Sequence, residues 1–112
     1  MQIPLIRWAL NLTDGKLKLF ASTWTAPKWM KTNGKYTGGA IMEDMYQTWA
    51  DYFVKFFDGY ADEGVEFWGV TTGNEPTTAL VPFGTINSVW WTPSGMVRIK
   101  YVRCEWKCFV EW

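Results

Sequence analysis

Val65-Glu66-Phe67-Trp68-Gly69-Val70-Thr71-Thr72-Gly73-Asn74-Glu75-Pro76 is the stretch that decides how this chain is read. The apolar run up to Val70 predicts a buried strand, and Gly73-Asn74-Glu75-Pro76 predicts the turn that ends it, because Pro76 cannot donate to a ladder and Gly and Asn favour turns. A carboxylic acid is thereby set at the mouth of a strand. The strand fixes its position while the following loop leaves it open to a ligand, so Glu75 is the first candidate for acid/base chemistry. The competing reading is a plain polar turn.

Upstream lies a helix. Met45, Trp49, Phe53, Phe56 and Tyr60 recur at intervals of three and four, and Val54 and Phe57 widen the stripe. Such a face packs on a sheet rather than on lipid. Glu43 and Asp44 stand in the first turn, where the helix dipole favours acids, Gly64 stands just past the end, and Asp51 and Lys55 are spaced to pair. Before the helix, Lys16 to Ser22 alternates, with Leu17, Leu19 and Ala21 on one side, and predicts a second strand. It gives way to a loop from Thr23 to Gly34 that Pro27 and Asn33-Gly34 keep out of the sheet. Trp24 in that loop is either a sugar platform or a plug on the rim.

Strand, helix, strand in this order is a βαβ unit with a right-handed crossover and parallel strands. Trp24 and Glu75 then emerge on the same rim, where parallel folds bind ligands. At the start of the chain, Leu5, Trp8 and Leu12 have helical spacing and predict a buried helix end closed by Asp14-Gly15. Asn11-Leu12-Thr13 is a glycosylation sequon, which makes Asn11 a candidate acceptor in a secretory-pathway protein.

Composition bounds the rest. The 112 residues fill one small domain, well short of the ~250 of a complete (β/α)8 barrel. Eleven basic residues balance eleven acidic ones, which leaves no field to attract nucleic acid. Nine tryptophans suit either a large core or a sugar-binding cleft. No run is long enough to span a membrane, and the start lacks the pattern of a signal peptide. Cys104 and Cys108, in a chain without histidine, supply half a zinc shell at most, so a local disulfide or free thiols are expected and no metal or cofactor is implied.

Several blocks in one order resemble glycoside hydrolase family 30, and within it the lysosomal glucosylceramidases (acid β-glucosidases). They are Ile3-Pro4-Leu5-Ile6, Ala21-Ser22-Thr23-Trp24-Thr25-Ala26-Pro27, Trp29-Met30-Lys31-Thr32-Asn33-Gly34, the run Gln47 to Phe56, and Phe67 to Pro76. The resemblance covers residues 3–96. It implies an α/β fold, a fragment of a (β/α)8 TIM barrel of about one and a half βα units rather than a complete domain. It implies hydrolysis of the β-glucosidic bond of glucosylceramide with retention of configuration, in an acidic lysosome. It also implies a saposin-like activator and an anionic membrane surface as partners. By the same resemblance Glu75 is the general acid/base, Asn74 contacts the sugar and Trp24 lines the glucose pocket.

A retaining glycosidase needs a second carboxylate about 5 to 5.5 Å from the first. In the family this nucleophile is a glutamate on a much later strand, with no counterpart here. Glu43, Asp44, Asp51, Asp58, Asp62 and Glu63 lie on or beside the helix, Asp14 precedes the first strand and Glu66 comes early in the second. Alone, the chain is expected to be inactive. For Glu75, an apolar setting and a nearby second carboxylate would raise the pKa. Trp91-Thr92-Pro93 reads as a helix start, with Thr92 as N-cap and Pro93 at the first position. No helix is expected to follow, because Val97, Ile99 and Tyr101 alternate with Arg98 and Lys100. From Val97 onward four basic and two acidic residues follow no pattern of the family. Residues 1–96 are thus read as a partial barrel domain and 97–112 as a foreign tail, for instance a gene-model artefact. The alternative to an enzyme piece is a non-catalytic product that at most binds sugar weakly through Trp24 and Asn74.

Overall fold

The structure, a computed structural model, describes residues 2–81, 84–92 and 94–96. The chain runs through α1 (Gln2–Leu12), β1 (Phe20–Ser22), α2 (Tyr46–Ala61) and β2 (Gly69–Thr71), with short 3-10 turns at Lys28–Met30, Glu43–Met45 and Pro76–Leu80. β1 and β2 pair in parallel, with Phe20 opposite Gly69, Ala21 opposite Val70 and Ser22 opposite Thr71. The expected βαβ unit is therefore present. β1 is shorter than the alternation from Lys16 predicts. Before it, the Leu19 carbonyl still accepts the amides of Trp68 at 2.7 Å and Gly69 at 3.3 Å, so the two chains converge there without forming a longer ladder. Ser22 and Thr71 close the ladder at its other end, their hydroxyls 2.6 Å apart.

α2 begins at Tyr46, and Glu43 and Asp44 form the 3-10 turn that leads into it. Their carboxylates still stand at the positive end of the helix dipole. At the other end Val65 N–H reaches the Tyr60 carbonyl at 2.9 Å and Gly64 adopts φ 71°. A left-handed glycine with this back-bonded amide is a common helix stop, and Gly64 fills the role its position predicts. Asp51 does not pair with Lys55. Its carboxylate accepts from Gln47 Nε2 at 2.8 Å, one turn earlier on the same face.

The helix buries Trp49, Ala50 and Phe57. Trp49 and Ala50 belong to a core completed by Ala26, Met30, Ile41, Val89, Trp91 and Met96. Six of these eight residues come from the segments that follow β1 and β2, so the main core lies under the rim and not between helix and sheet. Lower down, Phe56 and Tyr60 turn toward Phe67, ring centroids 5.6 and 5.2 Å apart, forming a second aromatic cluster.

α1 corrects one expectation. It buries no residue, and Leu5, Trp8 and Leu12 are 63, 63 and 68% exposed. Its side-chain hydrogen bonds reach the last turn of α2 and the residues just after it: Arg7 Nε donates to the Glu63 carbonyl at 2.8 Å, its Nη2 meets the Glu63 carboxylate at 2.8 Å, and Tyr60 Oη donates to Gln2 Oε1 at 3.1 Å. Helical spacing predicts a helix here correctly, but the apolar stripe has no partner among the described residues. Ion pairs this open to water contribute little. Arg7→Ala is expected to shift the unfolding free energy by less than about 1 kcal/mol in a urea titration followed by far-UV circular dichroism.

Candidate functional site

β1 and β2 end side by side, and the two candidate segments leave the sheet from the same edge. Thr23 follows Ser22 and Thr72 follows Thr71; the Asn74 amide then donates to the Thr23 carbonyl at 2.8 Å. This bond continues the pairing one step past the ladder and holds the turn carrying Asn74 and Glu75 against the segment carrying Trp24. A Cβ on Gly73 would lie 3.3 Å from Trp91 Cδ1. Any side chain here would press the buried indole of Trp91 back by a few tenths of an ångström.

Glu75 occupies the left-handed region, φ 41° and ψ 61°. Non-glycine residues there carry strain of about 1 to 3 kcal/mol, and they cluster where a side chain must be aimed. Pro76 disfavours the right-handed helical region for the residue before it, which narrows the alternatives open to Glu75. The turn then closes into Pro76–Leu80, with Thr78 N–H on the Glu75 carbonyl at 2.9 Å and Thr78 Oγ1 donating to Glu75 Oε2 at 3.3 Å. Glu75 is exposed, so this chain does not supply the apolar surroundings expected around it. None of the other described acids stands at the carboxyl end of β1 or β2.

Trp24 is 48% exposed. It lines an apolar groove of about 760 Å³ between the end of β1 and α2, together with Ser22, Thr23, Trp49, Tyr52 and Phe53. Asn74 and Glu75 do not line that groove; the Asn74 amide on the Thr23 carbonyl ties their turn to its edge. Thr92 caps the start of residues 94–96 as expected, its Oγ1 accepting the Gly95 amide at 3.0 Å. Residues 97–112, with Cys104 and Cys108, lie outside the described residues.

One buried group went unread in the sequence. Lys31 is 3% exposed, and its ammonium donates to Thr25 Oγ1 at 2.9 Å, the Tyr36 carbonyl at 3.0 Å and the Ser88 carbonyl at 2.6 Å. Desolvation by burial lowers its pKa from the ordinary lysine value of 10.5 to about 8. The only signal in the sequence was a lysine beside Trp29 and Met30 in a loop otherwise rich in apolar residues.

A model of the glycosyl hydrolase family 30 TIM-barrel domain matches residues 1–100. The chain belongs to glycosyl hydrolase family 30. Mouse lysosomal acid glucosylceramidase is 44% identical over 98 residues, which are 83% of this chain and 19% of that protein. The crystal structure of SrfJ from Salmonella typhimurium superposes with a TM-score of 0.79 at 32% identity, covering 90% of this chain and 22% of that one. The endo-β1,6-glucanase BT3312 follows with a TM-score of 0.76 at 28% identity, over 87% and 22%. The family 30 chain thus spans about a fifth of the length of its relatives. Its parallel β1–β2 pair with the α2 crossover is a piece of the TIM barrel, and the rim bearing Trp24 and Glu75 is the carboxyl-terminal face on which such barrels carry their chemistry.

Proposed function

We propose that this chain is part of a retaining β-glucosidase that cleaves glucosylceramide into glucose and ceramide, a step of sphingolipid breakdown. Glu75 is the general acid/base, Asn74 holds a sugar hydroxyl and Trp24 packs on the pyranose face. What carries the reading is the Asn74-to-Thr23 hydrogen bond at 2.8 Å, which fastens the carboxylate turn to the tryptophan loop at the carboxyl ends of two parallel strands. The 44% identity to mouse lysosomal acid glucosylceramidase favours glucosylceramide over the β-1,6-glucans named for the more distant relatives.

The division of labour follows from the residue types. Glu75 protonates the glycosidic oxygen as ceramide leaves, and its carboxylate then takes a proton from water. An amide such as Asn74 keeps its hydrogen bond through both steps because it does not titrate. The second carboxylate, a glutamate that attacks the anomeric carbon, comes from outside the residues of this chain. The polypeptide by itself is therefore inactive, and its remaining capacity is weak sugar binding at Trp24 and Asn74. Residues 1–96 form the barrel portion and 97–112 a foreign segment, although the family match itself runs on to residue 100. Asn11, exposed at the end of α1, is the glycosylation site of a secretory-pathway protein. The lysosome, a saposin-like activator and an anionic membrane surface are its proposed setting.

A segment exchange tests the assignment. Residues 3–96 replace the matching segment of mouse lysosomal acid glucosylceramidase, and the hybrid is assayed on glucosylceramide and on a β-1,6-glucan at acidic pH. Hydrolysis of glucosylceramide is expected from the hybrid and none from the 112-residue chain alone. A folded hybrid that cleaves only the glucan would overturn the substrate assignment. Turnover by the isolated chain would overturn the missing second carboxylate.

A further inference from the structure

We propose that Lys31 is a positioning residue of the rim, whose buried ammonium locks the tryptophan loop to the segment after β2 and so holds Trp24 and Asn74 in the geometry that receives a sugar. The inference rests on the sugar-site reading given above. It starts from a count of donors. An ammonium has three N–H bonds, and Lys31 spends all three on groups from three separate segments: the Thr25 hydroxyl, the Tyr36 carbonyl and the Ser88 carbonyl. No carboxylate is in ion-pair contact with it among the described residues. A buried charge without a counter-ion is tolerated only where its hydrogen bonds are complete, so these three contacts form together or not at all.

The contacts lead to the site. Thr25 Oγ1 also lies 2.8 Å from the Tyr36 carbonyl and 3.2 Å from that of Ser88, which makes Thr25 a second bolt through the same point. The Thr25 carbonyl accepts from Thr23 Oγ1 at 3.1 Å, and the Thr23 carbonyl accepts the Asn74 amide. Lys31 is thus linked to Asn74 through Thr25 and Thr23, and Trp24 sits in the middle of that link. On the far side, Ser88 N–H donates to Tyr36 O at 3.1 Å and Trp90 N–H to Gly39 O at 2.7 Å, which carries the order into Trp91 beneath Gly73. The lowered pKa fits a group held by geometry rather than by an opposite charge, and well below about pH 8 the ammonium keeps all three protons. A hydrogen-bonded centre of this kind adds direction to loops whose apolar residues already form the main core.

Amide hydrogen exchange by NMR on the full 112-residue chain, joined to a titration with methyl β-D-glucoside, tests this. Lys31→Met removes the charge at nearly constant volume. Thr25→Val removes one hydroxyl and is the milder variant, which decides the matter if Lys31→Met also strips protection from α2. Exchange of the Asn74, Ser88 and Trp90 amides is expected to rise about tenfold or more in Thr25→Val while the α2 amides stay protected. Glucoside-induced shifts of the Trp24 indole and Asn74 amide are expected to need about fivefold more sugar than in the unsubstituted chain. Unchanged exchange at Asn74 in Thr25→Val overturns the proposal, and so does faster exchange with unaltered sugar binding. If the unsubstituted chain shows no shifts but the three amides speed up, the ordering role of Lys31 stands and the sugar-site reading is what fails.

Discussion

Glu75→Gln in the hybrid enzyme is expected to reduce kcat on glucosylceramide about 10²- to 10⁴-fold, the range general acid–base catalysis supplies. Glutamine has the shape of glutamate, and its side-chain oxygen still accepts from Thr78 Oγ1, which lies 3.3 Å from Glu75 Oε2. The turn and its left-handed backbone therefore persist, and what is lost is the proton. Ceramide is a poor leaving group without one. An aryl β-glucoside with an acidic phenol departs unaided, so with it the first step survives and the second, which needs a base to activate water, becomes limiting. Azide needs no base and is expected to restore turnover of the aryl substrate in Glu75→Gln. A loss under tenfold on glucosylceramide, or no response to azide, would remove Glu75 from the acid/base role.

The second large effect is expected at Gly39. This residue has φ 68°, and a Cβ built on it would stand 2.5 Å from Asn33 Cγ and 2.6 Å from Asn33 Oδ1. The Asn33 amide cannot simply swing away, because its Nδ2 donates to the Thr37 carbonyl at 2.9 Å and its Oδ1 accepts the Lys35 amide at 3.1 Å. Gly39 also offers its carbonyl to Trp90 N–H. Left-handed strain of about 1 to 2 kcal/mol and overpacking of about 1 to 3 kcal/mol act together, so Gly39→Ala is expected to destabilise the chain by about 2 to 5 kcal/mol. Gly34 is the control. It shares the left-handed backbone, φ 62°, but has nothing within 4 Å of its Cβ position. Gly34→Ala is expected to lose about 1 to 2 kcal/mol, the backbone strain alone. Urea titrations of both variants by tryptophan fluorescence give the comparison, and equal midpoints would mean that Asn33 yields freely and that the packing argument fails.

Both variants act on the rim, and the rim is where reading the sequence stopped short. The stripe on α2, the Gly64 stop and the Thr92 cap were legible because each depends on residues three to five positions apart. The parallel pairing followed from strand, helix and strand in one order, since a crossover of that length leaves few alternatives. Glu75 was legible as a carboxylate in a turn after a strand. Its left-handed backbone was not, because it depends on where the chain must go next. The Asp51–Lys55 pair failed for a related reason: spacing permits a contact, but Gln47 competes for the same carboxylate and spacing does not rank the two. Whether Trp24 is platform or plug was not legible either, because that depends on which segments cover it.

By itself, the sequence determined the βαβ order, the Gly64 stop of α2, the strand-end position of Glu75 and membership of family 30. All of these rest on local spacing or on blocks of residues in a fixed order. Only the tertiary structure decided that α1 leaves Leu5, Trp8 and Leu12 uncovered, that the main core lies under the rim, and that Lys31 joins Thr25, Tyr36 and Ser88. Such features turn on which distant segments meet. A lysine reads as a surface residue until three acceptors, the furthest 57 residues along the chain, converge to replace the water it gives up.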